Sequence, residues 1–320
     1  MAEYKGIKGF KVQYLSADPS NPIVGQTWYN STSKDLKYTS VTTAGAWATG
    51  NSMNTGRVGL GGAGTQTAAL AFGGSIPPGT VAQSATEKYD GTSWTSNPTG
   101  LNTARAYLTG TGTQTSALAF GGDDPVSAAT EEYNGSTWTS VNSMNTARGL
   151  LAGAGTQTAG LASGGYAGGN SGATEEYDGT SWVTSPGSLN TARGFLAGAG
   201  TQTAGLAFGG WLPGDTGATE EYDGNSWTSN PTGLNTARSG LAGCGTQTAA
   251  LAFGGAPGAT EEYDGTNWTT SPASLTTARS YLGGTGTQAS ALAFAGSPTT
   301  AATEEWTGPG APLTKTVTVS

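Results

Sequence analysis

Twelve charged residues of this 320-residue chain recur in fixed register and are its first candidates for chemistry. Arg57, Arg105, Arg148, Arg193, Arg238 and Arg279 are all of its arginines. Each is followed, within one repeat length, by a glutamate: Glu87, Glu131, Glu175, Glu220, Glu261 and Glu304. Two chemistries are open to such a set, ion pairing from one repeat to the next and an arginine cluster that binds an anion. Pairing is the stronger expectation, because partly buried charges need partners to offset desolvation. An anion site would also break the symmetry that this array keeps. Each glutamate stands in T-E-E-Y or a close variant, and paired carboxylates invite glycoside hydrolysis, which needs two carboxyls about 5–9 Å apart. Successive residues of a strand point to opposite faces, so the two are badly placed for it. The second position accepts Lys88, which reads as a solvent-facing site. The chain is expected not to be an enzyme, and a carbohydrate-active one is the least favoured reading.

What the composition lacks narrows the field further. There is no histidine, which excludes His-based general bases and triads and every common metal or haem site that needs imidazole. The single cysteine, Cys244, excludes an intrachain disulfide, and alanine at the equivalent positions of two other repeats marks a small buried residue. No metal or other cofactor is expected. A net charge of −8 with only 13 basic residues argues against nucleic-acid binding. No signal peptide and no long apolar run is evident, so neither secretion nor membrane insertion is expected.

The elements that position these residues follow from self-comparison. N-T-A-R at Asn102–Arg105, Asn145–Arg148, Asn190–Arg193 and Asn235–Arg238 has looser copies ending at Arg57 and Arg279. After each comes a Gly-rich run, then G-T-Q, an apolar stretch closing on Gly-Gly, T-E-x-Y, Asp-Gly or Asn-Gly, and a Trp. A period of about 40–50 residues with four short runs predicts a blade of four antiparallel strands, here a to d from the inside outwards. Strand a is small-residue-rich, as an innermost strand requires. Strand b is continuously apolar and predicts burial on both faces. Asp223-Gly224 and its equivalents predict a tight type I′ hairpin between c and d. The sixth unit lacks its own Trp hairpin, whereas Trp47 precedes Arg57 by the spacing seen in every other unit. Residues 44–50 are therefore expected to supply strand d of the sixth blade from the opposite end of the chain.

The apolar stretch ending in Gly-Gly, then Tyr, then Trp, preceded by an Arg-containing turn, resembles the kelch-repeat β-propeller over roughly residues 41–308. It departs from that family in the short Tyr222-to-Trp227 hairpin, in Ala295-Gly296 and in Trp306. The resemblance implies an all-β, six-bladed kelch-like β-propeller, closed by an N-terminal strand and spanning residues 41–310. Kelch propellers include a copper-radical oxidase, galactose oxidase, but its His ligands are missing here. The six Trp of strand d are expected in the core between blades. Residues 1–40 stand apart as a small attachment segment and hold Lys5, Lys8, Lys11, Lys34 and Lys37. Their phrase Gly25-Gln-Thr-Trp-Tyr-Asn30 followed by Leu36-Lys-Tyr38 predicts a hairpin and resembles N-terminal parts of bacteriophage tail fibres and other virion appendages. At that length the segment is not expected to form a core alone. Residues 311–320 are expected as a tail or an extra edge strand.

Between the Gly-Gly (or Ala-Gly) and the Thr of T-E-x-Y lie 11, 7, 8, 8, 4 and 6 residues. Without that loop the repeats shrink to a nearly constant length. Those b–c loops carry Ile76, Pro77, Pro78, Asp123, Asp124, Tyr166, Trp211 and Leu212, and loops that vary on a constant scaffold are where binding surfaces are commonly built. The expectation is a non-enzymatic structural or adhesion component of a bacteriophage virion: a tail fibre, tail tip or head-decoration protein made in the host cytoplasm. Other virion proteins would be met through residues 1–40, and a host glycan or protein through the loop rim. A cellular kelch-type protein-interaction module is the alternative.

Overall fold

The computed structural model describes residues 12–20, 25–41, 44–77, 81–123, 125–310 and 312–317, and among these every regular element is a strand. They divide into two units, residues 46–307 and residues 1–45 with 308–320. The larger unit has a propeller-like all-β architecture of four-stranded antiparallel sheets, one per repeat. In the first repeat Gly61–Thr65, Ala68–Phe72, Thr86–Tyr89 and Trp94–Ser96 pair in that order. The last sheet consists of Gly283–Thr287, Ser290–Phe294 and Thr303–Thr307, then Ala46–Gly50 from the far end of the sequence. Trp47 lies opposite Trp306 in that pairing. The strand begins at Ala46, two residues later than the 44–50 read from the spacing.

Packing explains the composition of each strand. Leu70, Ala71 and Phe72 are fully buried, so strand b is covered on both faces, as a short unbroken apolar run requires. Strand a is poor in side chains because its neighbours leave no room. A Cβ on Gly110 would stand 2.2 Å from Phe72 Cζ, and one on Gly243 would stand 2.4 Å from Phe208 Cζ. The core is built between consecutive repeats. Phe72 packs on Trp138, Phe120 on Trp182, Phe208 on Trp268, Phe253 on Trp47 and Phe294 on Trp94, with ring centroids 4.8–5.1 Å apart. Each indole also donates Nε1–H to the strand-c threonine of the repeat before, for example Trp138 to Thr86 and Trp94 to Thr303, both at 2.9 Å.

The c–d connection differs from the expected type I′ turn. Tyr89 pairs directly with Trp94, leaving four loop residues, and Asp90 keeps negative φ while Gly91 takes φ +89°. The Asp90 carboxylate accepts the N–H of Thr92 and of Ser93 at 2.8 and 2.7 Å. The aspartate thus serves as a side-chain cap for a longer loop rather than as a φ > 0 residue.

In the smaller unit Gln13–Leu15 runs parallel to Thr27–Asn30, which pairs antiparallel with Asp35–Val41. Asp35–Val41 in turn pairs with Pro312–Thr316. The C-terminal tail, expected as a tail or an extra edge strand, is the edge strand of this sheet, and the N-terminal unit runs to residue 45 rather than 40. Trp28 of this sheet is fully buried. Asp18 pairs with Lys37 Nζ at 2.7 Å and accepts from Asn30 Nδ2 at 2.7 Å and Trp28 Nε1 at 3.0 Å. These bonds lower its carboxyl from 3.8 to about 2, the Lys37 bond contributing most. A depressed folded pKa means the contribution is complete above about pH 4 and is lost as pH falls to about 2. The Trp28 indole N–H resonance is expected to shift with a midpoint near pH 2, and that shift should be absent in Asp18→Asn.

Candidate functional site

The Asn-Thr-Ala-Arg turn is wrapped around one carboxylate. Glu220 accepts the backbone N–H of Asn190 at 2.7 Å and of Thr191 at 3.3 Å, and pairs with Arg193 Nη1. The same guanidinium donates Nε–H to Gly209 O at 2.9 Å and reaches Thr191 O at 3.0 Å and Ala207 O at 3.2 Å. Asn190 Nδ2 completes the turn by donating to Trp227 O at 2.9 Å. Equivalent pairs join Arg57–Glu87, Arg105–Glu131, Arg148–Glu175, Arg238–Glu261 and Arg279–Glu304. Each pair lies inside a single repeat. The expected pairing from one blade to the next is corrected accordingly: the arginine precedes strand a, and the nearest strand-c glutamate is that of its own sheet. Burial lowers all six guanidinium pKa values, and the partner glutamates oppose that shift. All twelve side chains are at most 3 % exposed, which leaves no arginine face open to an external anion.

The second glutamate of T-E-E-Y is not the solvent-facing residue expected from Lys88. Glu305, Glu132, Glu176 and Glu221 are half-buried and accept the hydroxyls of Tyr89, Tyr177, Tyr222 and Tyr263, each in the following repeat. Burial and the carboxylate together push the Tyr222 phenol up to about 12. Where Lys88 stands, Tyr133 donates instead to Asn97 Oδ1 at 3.1 Å, and the ammonium lies 5.5 Å from the Tyr133 ring centroid. The glutamine of G-T-Q, which the sequence marked only as recurrent, is a second bridge between repeats. Gln114 Nε2 donates to Ala69 O and Tyr89 O at 3.0 and 2.6 Å, and Gln66 donates to Ala291 O and Trp306 O at 3.1 and 2.6 Å.

A feature not foreseen from sequence lies two residues beyond each arginine. Gly59, Tyr107, Leu150, Phe195, Gly240 and Tyr281 all take φ between 54° and 65°. Their backbones form a closed circuit: each N–H donates to the carbonyl of the preceding member at 2.6–2.9 Å, and Gly59 donates to Tyr281. The left-handed conformation costs a non-glycine residue roughly 1–2 kcal/mol. Glycine satisfies the circuit at two positions, yet four bulky side chains are held in it at the other four. This belt lines one end of a cavity of about 140 Å³. A second cavity of about 130 Å³ shares with it Gly62, Gly110, Gly153, Gly198, Gly243 and Gly284. Cys244 lines the second cavity, its Sγ 3.5 Å from Thr287 O, and burial pushes its thiol well above the usual range.

The variable loops are pinned beside this belt. Tyr166 forms a two-way backbone bridge with Gly149, and Trp211 forms one with Gly194. Trp211–Leu212 pairs with Gly214–Asp215, and Ser75–Ile76 with Val81–Ala82, so two of the loops are short ladders. Trp211 is 41 % exposed and Pro77 is exposed, while Ile76, Asp123, Tyr166 and Leu212 are half-buried. Pro78 and Asp124 lie outside the described residues. Rings run in contact from Tyr107 to Tyr281 (5.7 Å), to Phe195 (6.0 Å), and on to Trp211 and Tyr166 (6.3 Å each). Signal for this cluster was present in the sequence: these aromatics stand at positions that change from repeat to repeat, whereas the core aromatics recur.

Among the described residues no helix is long and apolar enough to cross a membrane, and no group of three metal-ligating side chains gathers. Fold and site together define an all-β repeat protein whose arginines are paired internally and whose variable loops are pinned beside one cavity. The chain matches no family model, and no curated protein matches it.

Proposed function

We propose that this chain is a non-enzymatic binding and structural module: a six-bladed, kelch-like β-propeller closed by the strand Ala46–Gly50. It would be carried on a bacteriophage particle by its smaller unit. The closed circuit of six backbone hydrogen bonds supports closure. So do the Gln66 bonds and the Phe294–Trp94 contact, which tie the last repeat to the first. The observation that carries the binding role is the confinement of variation in length and composition to the b–c loops and belt, on a frame fixed by repeated hydrogen bonds. Rigid aromatic area on such a frame is the usual make-up of a binding hot spot. The virion assignment rests on the Gly25–Tyr38 phrase, and a separate small sheet that contains it suits attachment.

The test separates the two ends. Deleting residues 1–34 should abolish incorporation into assembled particles. Trimming residues 75–84 and replacing Tyr166 and Trp211 by Ser should leave incorporation intact and weaken attachment to the host or a neighbouring subunit at least tenfold. If the full chain is absent from purified particles, the virion reading fails in favour of a cellular interaction module. Unchanged attachment after all three loop changes would reduce the rim to drift and the protein to a spacer.

A further inference from the structure

Resting on the binding role proposed above, we infer that the aromatic cluster over the belt is a carbohydrate site that takes a neutral sugar ring on Phe195, Tyr281 and Trp211. Three observations carry this. The first is strain kept for the sake of side chains. Gly59 and Gly240 complete the hydrogen-bond circuit without one, so Tyr107, Phe195 and Tyr281 are not needed for it, yet they hold their rings in the left-handed region. The second is arrangement. The rings of Tyr107, Tyr281, Phe195 and Trp211 succeed one another in a row at 5.7–6.3 Å with interplanar angles of 58–86°, and Tyr166 branches from Phe195. A row offers successive apolar patches to the C–H faces of a saccharide, while a cage around a cation would gather its rings about a centre. The third is charge. The larger unit has seven cationic side chains. Six are the arginines buried in their ion pairs, and Lys88 donates to Gly135 O at 2.6 Å. Neither a sulfated nor a sialylated sugar would find a counter-charge there. One polar group beside the rings is an acceptor suited to sugar hydroxyls: the exposed Asp215, which pairs through its backbone with Trp211 across the short ladder and acts electrostatically on the Tyr281 phenol.

The full chain should be titrated with methyl glycosides of glucose, galactose, mannose and N-acetylglucosamine and with their neutral oligomers. Tryptophan fluorescence is the readout, since Trp211 is the most exposed of the nine tryptophans. Saturable quenching or enhancement by at least one neutral glycoside is expected, with loss of affinity of tenfold or more in Phe195→Gly and Tyr281→Gly. Both variants should fold with a thermal midpoint within a few degrees of the parent, because glycine occupies equivalent positions in the same conformation. Trp211→Ser, followed by calorimetry, should lose the same affinity. No saturable response to any neutral glycoside overturns the inference. So does preferential binding of tetramethylammonium or of a sulfated sugar, and so does unchanged affinity in the glycine variants. Collapse of the glycine variants would make the rings a structural cap and would overturn it as well. None of these results bears on incorporation into particles, so this site and the virion reading fail separately.

Discussion

Arg193→Met is expected to destabilise the larger unit by about 3–5 kcal/mol, the cost of removing one partner from a buried pair. Methionine keeps an unbranched apolar stem but leaves Glu220 with only the N–H groups of Asn190 and Thr191, and Gly209 O loses the Nε donor. Arg238→Met should cost less, because Arg238 is held more loosely. It stands 3.2 Å from Glu261 and reaches Ala252 O at 3.4 Å, and among the described residues its Nε and Nη1 have no hydrogen-bond acceptor. Arg193→Met combined with Glu220→Gln should recover part of the loss, since a neutral amide no longer carries an uncompensated buried charge and its one oxygen still accepts the closer N–H, that of Asn190. Urea unfolding of the three variants beside the parent decides the order. A fully stable Arg193→Met that had lost a ligand would assign the arginines to binding instead of to the frame.

Trp47→Ala should cost about 3 kcal/mol, the lower end of the range for truncating a large aromatic, because Trp47 is only half-buried. What disappears is the packing on Phe253 and Trp306, at 5.1 and 5.4 Å, and the 2.8 Å bond to Thr260 Oγ1. A truncation pair sharpens the result. Removing residues 1–45 spares the strand Ala46–Gly50, and the remainder should unfold cooperatively. Removing residues 1–50 strips the partner from Thr303–Thr307 and opens a sheet edge that invites association. Thermal melts and light scattering should therefore diverge between the two; identical behaviour would mean that the strand from the far end does not close the ring.

How much of this was readable depends on whether a residue's role lies within its own repeat. Arg193 and Glu220 could be paired from sequence because both recur at fixed offsets, although the direction of pairing was misjudged. Trp47 could be placed by spacing alone. Glu221 could not be understood, since its partner Tyr263 belongs to the next repeat and only packing brings the hydroxyl to the carboxylate. Gln114 was visible as a recurrent letter, but its acceptors are main-chain carbonyls of the preceding repeat, which no side-chain pattern advertises. Pro312–Thr316 could be read as a tail or an extra edge strand, but the sheet it joins could not, because its partner, Asp35–Val41, lies near the opposite terminus.

By itself, then, the sequence determined the repeat, its four-strand unit, the burial of strand b, the set of arginines and glutamates, and the restriction of variation to one loop per repeat. Period and alternation are local properties, and six copies make them plain. Tertiary structure alone decided the belt. Gly59, Tyr107, Leu150, Phe195, Gly240 and Tyr281 share no propensity and no polarity. They share a left-handed φ, imposed because each N–H must reach the carbonyl of the preceding member for the circuit to close. That geometry, and not any property of the residues in isolation, places Phe195 against Tyr166 and Trp211 and Tyr281 against Phe195 and Tyr107, and so creates an aromatic cluster that the repeating core does not require.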